Sequence, residues 1–218
     1  MEYPLIMIIT PIFFPDEDRG LRSTNFLDSI VSWKKYLHYS GKMEILAIHD
    51  GDPPNIEWPT DIRVVSHPRK GLGASLNLGL KIGYECTDYV LHIVDDFQLL
   101  APYDLDPWVE LLYKREDIGS INLSAPFPGC RGTITPFGTK DWGVILDRHN
   151  LAAGLRPTLY QRRFFEYYGE FEEGINAWEC EKIFNQKFHD MGKGPEVVVA
   201  LPFPWSVEST IETGQITP

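Results

Sequence analysis

The chain has 218 residues and a mass of 25.0 kDa, which suits one domain and divides into two only with difficulty. With 43% hydrophobic and 23% charged residues it is an ordinary globular composition, which excludes a disordered, collagenous or low-complexity chain. Lys+Arg number 20 and Asp+Glu 31, a formal charge of −11; this excludes nucleic-acid binding through a broad basic surface and suits a protein that holds a divalent cation.

Cys86, Cys130 and Cys180 show no CxxC spacing and read as buried or incidental thiols in a reducing compartment. The apolar start MEYPLIMIITPIFFP has no basic n-region and no small-residue cleavage site. No apolar run approaches the length of a membrane span. The expectation is a cytoplasmic protein without a membrane span.

Residues 4–10 form an Ile-rich run typical of a strand buried on both faces of a parallel sheet. It ends in Thr10-Pro11, and Phe13–Gly20 reads as loop, with Asp16-Glu17-Asp18 solvated. Ser23 or Thr24 caps a helix with Phe26, Leu27, Ile30, Val31, Trp33 and Leu37 at helical spacing, ended by Gly41. Strands follow at 44–49, before the turn Asp50-Gly51-Asp52-Pro53-Pro54, and at 62–66. Gly71–Gly83 carries a helical stripe of Leu72, Leu76, Leu80 and Ile82. Residues 89–94 are a fourth strand, and 105–113 a helix with an Asp-Pro start. This alternation predicts an α/β fold with a mostly parallel central sheet.

The second half is less regular. Strands are expected at 118–126 and 143–147, with a Gly/Pro/Thr-rich loop or short hairpin at Phe127–Lys140 between them. Asn150–Gly154 reads as helical, and the pattern then fades. Residues 177–191 form an amphipathic helix through Cys180, Ile183, Phe184, Lys187, Phe188 and Met191, and 196–201 are a last strand. The tail from Pro202 has no periodicity and is expected to wrap over the surface.

Ligands of an open parallel sheet bind beyond the carboxyl ends of its strands. Thr10-Pro11, Asp50-Gly51-Asp52, His67-Pro68-Arg69-Lys70-Gly71 and Asp95-Asp96 occupy those places. Asp and Gly are also common turn residues, so each cluster taken singly reads more readily as a turn than as a site; three charged clusters at consecutive strand ends are what point to a site. Adjacent carboxylates after YVLHIV repel each other at the edge of an apolar sheet, and raised pKa values or a hard cation relieve that repulsion. The glycines of Arg69-Lys70-Gly71-Leu72-Gly73-Ala74-Ser75 lie where strand gives way to helix and would let a ligand approach the backbone. They form neither a Walker loop nor a GxGxxG fingerprint.

Taken in order, these motifs resemble the GT-A nucleotide-sugar glycosyltransferases, in particular the inverting family two. The matching segments are Ile8-Ile9-Thr10-Pro11, His49-Asp50-Gly51-Asp52, Lys70–Gly79 and Ile93-Val94-Asp95-Asp96. The resemblance covers about residues 4 to 105 well and continues weakly to about 190. It implies a single GT-A-like, Rossmann-related domain. Residues 1–105 would be its nucleotide-sugar-binding half and residues 106–218 its acceptor-binding half. Thr10 and Pro11 would lie against the nucleoside, and Asp50 would accept from the base. Arg69 or Lys70, beside Gly71, would reach the base or a phosphate. Asp95 would lie near ribose and metal, and Asp96 would ligate Mn²⁺ or Mg²⁺. The sequence departs from the family's acidic motif at Val94, where a third acidic residue often stands.

The same resemblance implies a carboxylate base at the start of a late helix, here Asn176-Ala177-Trp178-Glu179-Cys180-Glu181, with Cys180 where the family often has Asp. Glu179 is the expected base, with Trp178 as an acceptor platform, and Glu181 is the second candidate. Acidic residues also stabilise helix N-termini without any catalytic role. Trp142-Gly143 resembles the acceptor-side segment, though a Trp also serves as a core or rim anchor. His67, His149 and His189 are the available late metal ligands, in no metal-binding spacing. The implied activity is metal-dependent transfer from a nucleotide-diphosphate-sugar to a hydroxyl of a glycan, protein, small molecule or modified nucleic acid. A sugar-phosphate nucleotidyltransferase and a non-catalytic nucleotide- or glycan-binding domain are the rivals. The first should carry a Gly-rich basic motif after the first strand, where this chain has Thr10-Pro11-Ile12-Phe13-Phe14.

Overall fold

Apolar runs that alternate with helical stripes produce a sheet covered on both faces. The computed structural model describes residues 2–14, 19–52, 56–123, 132–136, 142–146, 156–201 and 205–207. The first half contains β1 (Ile6–Ile12), α1 (Arg19–Tyr36), β2 (Leu37–His38), β3 (Met43–Asp50), β4 (Ile62–His67), α2 (Leu72–Cys86), β5 (Tyr89–His92), β6 (Phe97–Leu99), β7 (Tyr103–Asp104) and α3 (Asp106–Lys114). The second contains β8 (Ile118–Asn122), β9 (Gly132–Pro136), β10 (Trp142–Leu146), β11 (Thr158–Gln161), α4 (Arg162–Tyr168), α5 (Ala177–Asp190), β12 (Glu196–Leu201) and β13 (Trp205–Val207).

The main sheet has the order β4-β3-β1-β5-β11-β8-β12-β10-β9. Its β4, β3, β1 and β5 are parallel neighbours, and only β11 and β10 run against the other strands. The expected mostly parallel α/β sheet is therefore present. The chain runs outward from β1 through β3 to β4, then returns to place β5 on the other side of β1. That reversal opens a crevice at the carboxyl ends of β1 and β5.

Strand alternation divides the core into two layers. Ile6, Ile8 and Ile12 face Phe26, Ile30 and Trp33 of α1 and Val109 and Leu112 of α3. Met7 and Ile9 face Leu76 and Leu80 of α2, Phe164 of α4 and Phe184 and Phe188 of α5. Cover on both sides explains why β1 and β5 read as continuous apolar runs. Each large side chain so buried stabilises the fold by about 1.5–3 kcal/mol.

Several boundaries differ from expectation. Helix α1 starts at Arg19, ahead of the expected Ser23/Thr24 cap, and both hydroxyls donate back to the Gly20 carbonyl, at 3.0 and 2.9 Å. It ends at Tyr36, before Gly41, because β2 leaves to pair with β7. The first strand runs on through Thr10-Pro11 to Ile12, and the fourth stops at His92. The strand expected at 118–126 ends at Asn122, and the tail supplies β13, which pairs antiparallel with β6. In the Phe127–Lys140 segment, β9 pairs antiparallel with β10. Asn150–Gly154, Asp16–Asp18, Pro53-Pro54, Cys130 and His149 lie outside the described residues.

Two consecutive arginines at the head of α4 close the ends of two other helices. Arg162 donates to the carbonyls of Tyr84 and Thr87 at the end of α2 and to Asp88 at 2.6 Å. Arg163 donates to the carbonyls of Leu112 (2.6 Å), Arg115 (2.9 Å) and Ile118 (2.7 Å) after α3. A guanidinium fork suits the orphan carbonyls at a helix end, where the dipole also favours positive charge. Arg163→Met should therefore cost about 2–4 kcal/mol. A urea midpoint equal to that of the unaltered chain would show that water replaces these bonds without loss.

Candidate functional site

The β3 end is organised by one carboxylate. Asp50 is the last residue of β3 and is buried. Its Oδ1 accepts from the backbone N–H of Lys70 at 2.7 Å, and its Oδ2 from that of Gly71 at 3.0 Å. The Gly51 N–H donates to the His67 carbonyl at 2.9 Å. His67 donates from Nδ1 to the Pro68 carbonyl and accepts at Nε2 from Ser75, both at 2.8 Å. The residue expected to read a nucleobase thus also ties the β4–α2 turn to β3. The Arg69 guanidinium lies 4.3 Å from the centre of the Phe13 ring, and the Lys70 ammonium 3.8 Å from Glu173.

The glycines at the head of α2 serve packing. Gly71 has φ +83°, and a methyl there would come within 2.9 Å of the Ile175 carbonyl oxygen. A methyl on Gly73 would come within 2.0 Å of the Glu172 carbonyl oxygen. The close approach expected for a ligand is made by the 169–175 segment. Asn77 holds that segment through bonds to the Phe171 carbonyl (3.0 Å) and N–H (2.9 Å), and Gly174 N–H reaches the Lys70 carbonyl at 2.9 Å.

Asp95 and Asp96 follow β5 in a turn closed by Phe97 N–H on the Val94 carbonyl at 3.2 Å. Asp95 is 7% exposed and Asp96 half-buried. Burial, then repulsion from Asp96, pushes the Asp95 pKa up to about 7; Arg22 opposes the rise. Burial also raises Asp96, again against Arg22. Sequence reading missed Arg22; it donates to the Phe13 carbonyl at 2.9 Å from the first turns of α1, where no motif marks it. Among the described residues, no group of three His, Cys, Asp or Glu forms a metal cluster. Two desolvated carboxylates remain, a hard oxygen set that fits Mn²⁺ or Mg²⁺ completed by phosphate and water.

Thr10 and Pro11 lie within β1 and are buried. The Thr10 hydroxyl and His49 Nε2, both buried, make no hydrogen bond. On α5, Asn176 accepts from Glu179 N–H at 2.9 Å and donates to the Glu179 carboxylate at 2.7 Å. Glu179 is exposed and belongs to a helix cap. Glu181 lies about 200° around the helix and is half-buried; burial raises its pKa and Arg156 counters this. Cys180 packs into the core between them. Trp178 is 68% exposed, with the Lys182 ammonium 5.3 Å from its ring centre. The side chain of Trp142, in β10, lies outside the described residues.

No family model matches this sequence, and no curated protein matches it. Solved structures do match. S. aureus TarS 1-349 aligns with a TM-score of 0.62 at 12% identity, over 98% of this chain and 62% of that one. GalNAc-T7 with UDP, GalNAc and Mn²⁺ aligns at 0.60 and 13%, over 90% of this chain and 43% of that one. The catalytic domain of Drosophila beta1,4galactosyltransferase 7 with xylobiose aligns at 0.54 and 13%, over 97% and 73%. The chain has the GT-A fold. It spans less than two thirds of the TarS and GalNAc-T7 chains.

In this GT-A sheet the buried acidic pair makes stability depend on pH. The folded-state pKa of Asp95 lies above its unfolded value, so between about pH 4 and 7 the folded chain binds the extra proton. Without a cation, its contribution is lost as pH rises through that window and is flat above it. Asp95→Asn should remove this dependence, a difference on the order of 3 kcal/mol at pH 8. Parallel melting curves of the two proteins from pH 4 to 8 would refute the assignment.

Proposed function

We propose that the chain is a metal-dependent glycosyltransferase that moves a sugar from a nucleotide-diphosphate-sugar to an acceptor hydroxyl with inversion. The observation that carries this reading is the buried, mutually repelling Asp95–Asp96 pair at the reversal point of a GT-A sheet. The structural neighbours lend support: TarS was crystallised with UDP-GlcNAc, and GalNAc-T7 with UDP, GalNAc and Mn²⁺. In this reading residues 1–105 hold the donor and residues 106–218 the acceptor.

Asp96, with Asp95, would hold Mn²⁺ or Mg²⁺, which when bound supplies positive charge against the diphosphate leaving group. Asp50 uses the lone pairs left by Lys70 and Gly71 to accept from a base N–H. Thr10 supplies a buried hydroxyl beneath the nucleoside, next to Pro11. Arg69 and Lys70 carry positive charge on the turn beside the phosphates. Phe13, under the Arg69 guanidinium, offers a flat apolar surface at the same end. The proposed location is cytoplasmic; among the described residues no helix is long and apolar enough to cross a membrane.

The base assignment moves from Glu179 to Glu181. Glu179 is engaged in the cap, whereas burial makes Glu181 a better proton acceptor near neutral pH. Glu181 takes the proton of the acceptor hydroxyl as that oxygen bonds to the anomeric carbon. The bond from that carbon to the phosphate oxygen breaks, and the diphosphate leaves on the opposite face.

Glu181→Gln should lose about 10²–10⁴-fold in turnover and keep donor affinity. Glu179→Gln should keep turnover and lose about 1 kcal/mol of stability. Hydrolysis of nucleotide-sugars with Mn²⁺ reports both without a known acceptor. The reverse pattern would return the role to Glu179. Asp96→Asn should abolish Mn²⁺-dependent binding of nucleoside diphosphates; calorimetry showing unchanged affinity would end the metal assignment.

A further inference from the structure

His67 has no part in the mechanism above. It is the last residue of β4 and stands opposite Asp50, the last residue of β3. Parallel partners project from the same face of a sheet, so ring and carboxylate are side neighbours. His67 Nδ1 lies 3.9 Å from Asp50 Oδ1, and the two side chains are only 12% and 10% exposed. At that distance they form an ion pair whenever the ring is charged.

The acceptors around the ring fix one of its protons. Nδ1 lies 2.8 Å from the Pro68 carbonyl oxygen. Two acceptors do not approach so closely, so Nδ1 carries a proton. Nε2, at 2.8 Å from the Ser75 hydroxyl, is then the nitrogen whose proton can change. Ser75 serves either state. It donates to a neutral ring. Against a charged ring it accepts, and its own proton can turn to the Gly71 carbonyl one helical turn back, which the Ser75 N–H already approaches at 3.3 Å. Carboxylate, imidazole and hydroxyl here make no nucleophilic triad. Ser75 is 1% exposed, and the Nδ1 proton goes to a carbonyl and not to Asp50.

The other groups around Asp50 are constant in charge. Lys70 and Gly71 reach it through backbone N–H groups. The Lys70 ammonium is drawn to Glu173 at 3.8 Å, and the Arg69 guanidinium lies over the Phe13 ring. Histidine is the side chain whose charge changes between about pH 5 and 8. A neutral ring leaves Asp50 its full charge for a base N–H. A charged ring competes for the same lone pairs.

We propose that His67 is a positioning residue for base recognition: neutral, it leaves the Asp50 carboxylate free to accept a base N–H, and protonated at Nε2 it draws that carboxylate to itself and weakens the base contact. The inference rests on the donor reading of Asp50. A nucleobase with a ring N–H then binds best above the midpoint of the ring. By reciprocity, such a base lowers that midpoint when it binds.

The test follows the ring C–H signals of His67 by NMR in the full chain without metal, across about pH 5 to 8. Asp50→Asn should lower the midpoint by about half a pH unit or more. In the unaltered chain, saturating uridine or guanosine should lower it similarly. Their methylated forms without the ring N–H, and inorganic pyrophosphate, should not. Calorimetry with the nucleoside diphosphate gives a second readout. From the alkaline to the acid end, affinity should fall about five-fold further in the unaltered chain than in His67→Gln. Asp95 titrates in the same range and acts alike in both proteins, so the difference reads His67. A midpoint unmoved by Asp50→Asn and by the nucleoside overturns the proposal, as does an equal pH slope in His67→Gln. If neither nucleoside nor its diphosphate binds at any pH, the donor reading falls and takes this role with it. If one binds and the midpoint stays, the role of His67 alone falls.

Discussion

The carboxylate of Asp50 organises this molecule's rim. It ends β3 and takes the N–H groups of Lys70 and Gly71, which sets the direction in which the chain enters α2. The entry of α2 fixes where Gly73 meets the 169–175 segment, and that segment leads directly into α5. Glu181 therefore reaches the rim through a series of contacts that begins at β3. The carboxylate is held by backbone donors rather than by a cation, so its anchoring adds no long side chain to the rim. Hydrogen bonds from backbone N–H groups are also indifferent to salt compared with exposed ion pairs.

The acidic pair after β5 represents the opposite choice. There the fold leaves charge unbalanced, with Arg22 as the opposing cation and burial working against both carboxylates. Such an arrangement is costly for the folded chain alone, and in the proposed function a cation would offset that cost. The two rim carboxylate sites thus differ: Asp50 is tied into the fold by backbone donors, whereas Asp95 and Asp96 are buried with their charges unbalanced.

Sequence reading found the first half because its signals are local. An Ile-rich run such as that of β1 and the stripe through Leu76 and Leu80 need no distant partner to be recognised. It failed where the determinant is tertiary. Strand β11 is four residues long, TLYQ, and exists because β5 and β8 flank it. Strand β13 forms against β6, about a hundred residues earlier in sequence. Gly73 looked like a ligand cradle because nothing local announces that Glu172 will arrive there. The motif placed Glu179, beside Trp178, ahead of Glu181; the Asn176 side chain and the depth of the helix, neither legible in the sequence, distinguish the two in the structure. Arg22 carries no motif at all, since its significance lies in what packs around it.

The adjacent arginines at the head of α4 have a mechanical consequence. Arg162 grips the end of α2, and Arg163 the end of α3. Consecutive residues cannot separate by more than one peptide step. The far ends of a helix from the front half of the chain and of one that leads into the back half are therefore pinned to a common point, opposite the rim. Opening the crevice by swinging the two halves apart would tear several charge-assisted bonds at once. In the proposed function, ligands would then enter and leave by way of rim segments over a rigid base, much as a jar opens at its lid and not along its wall.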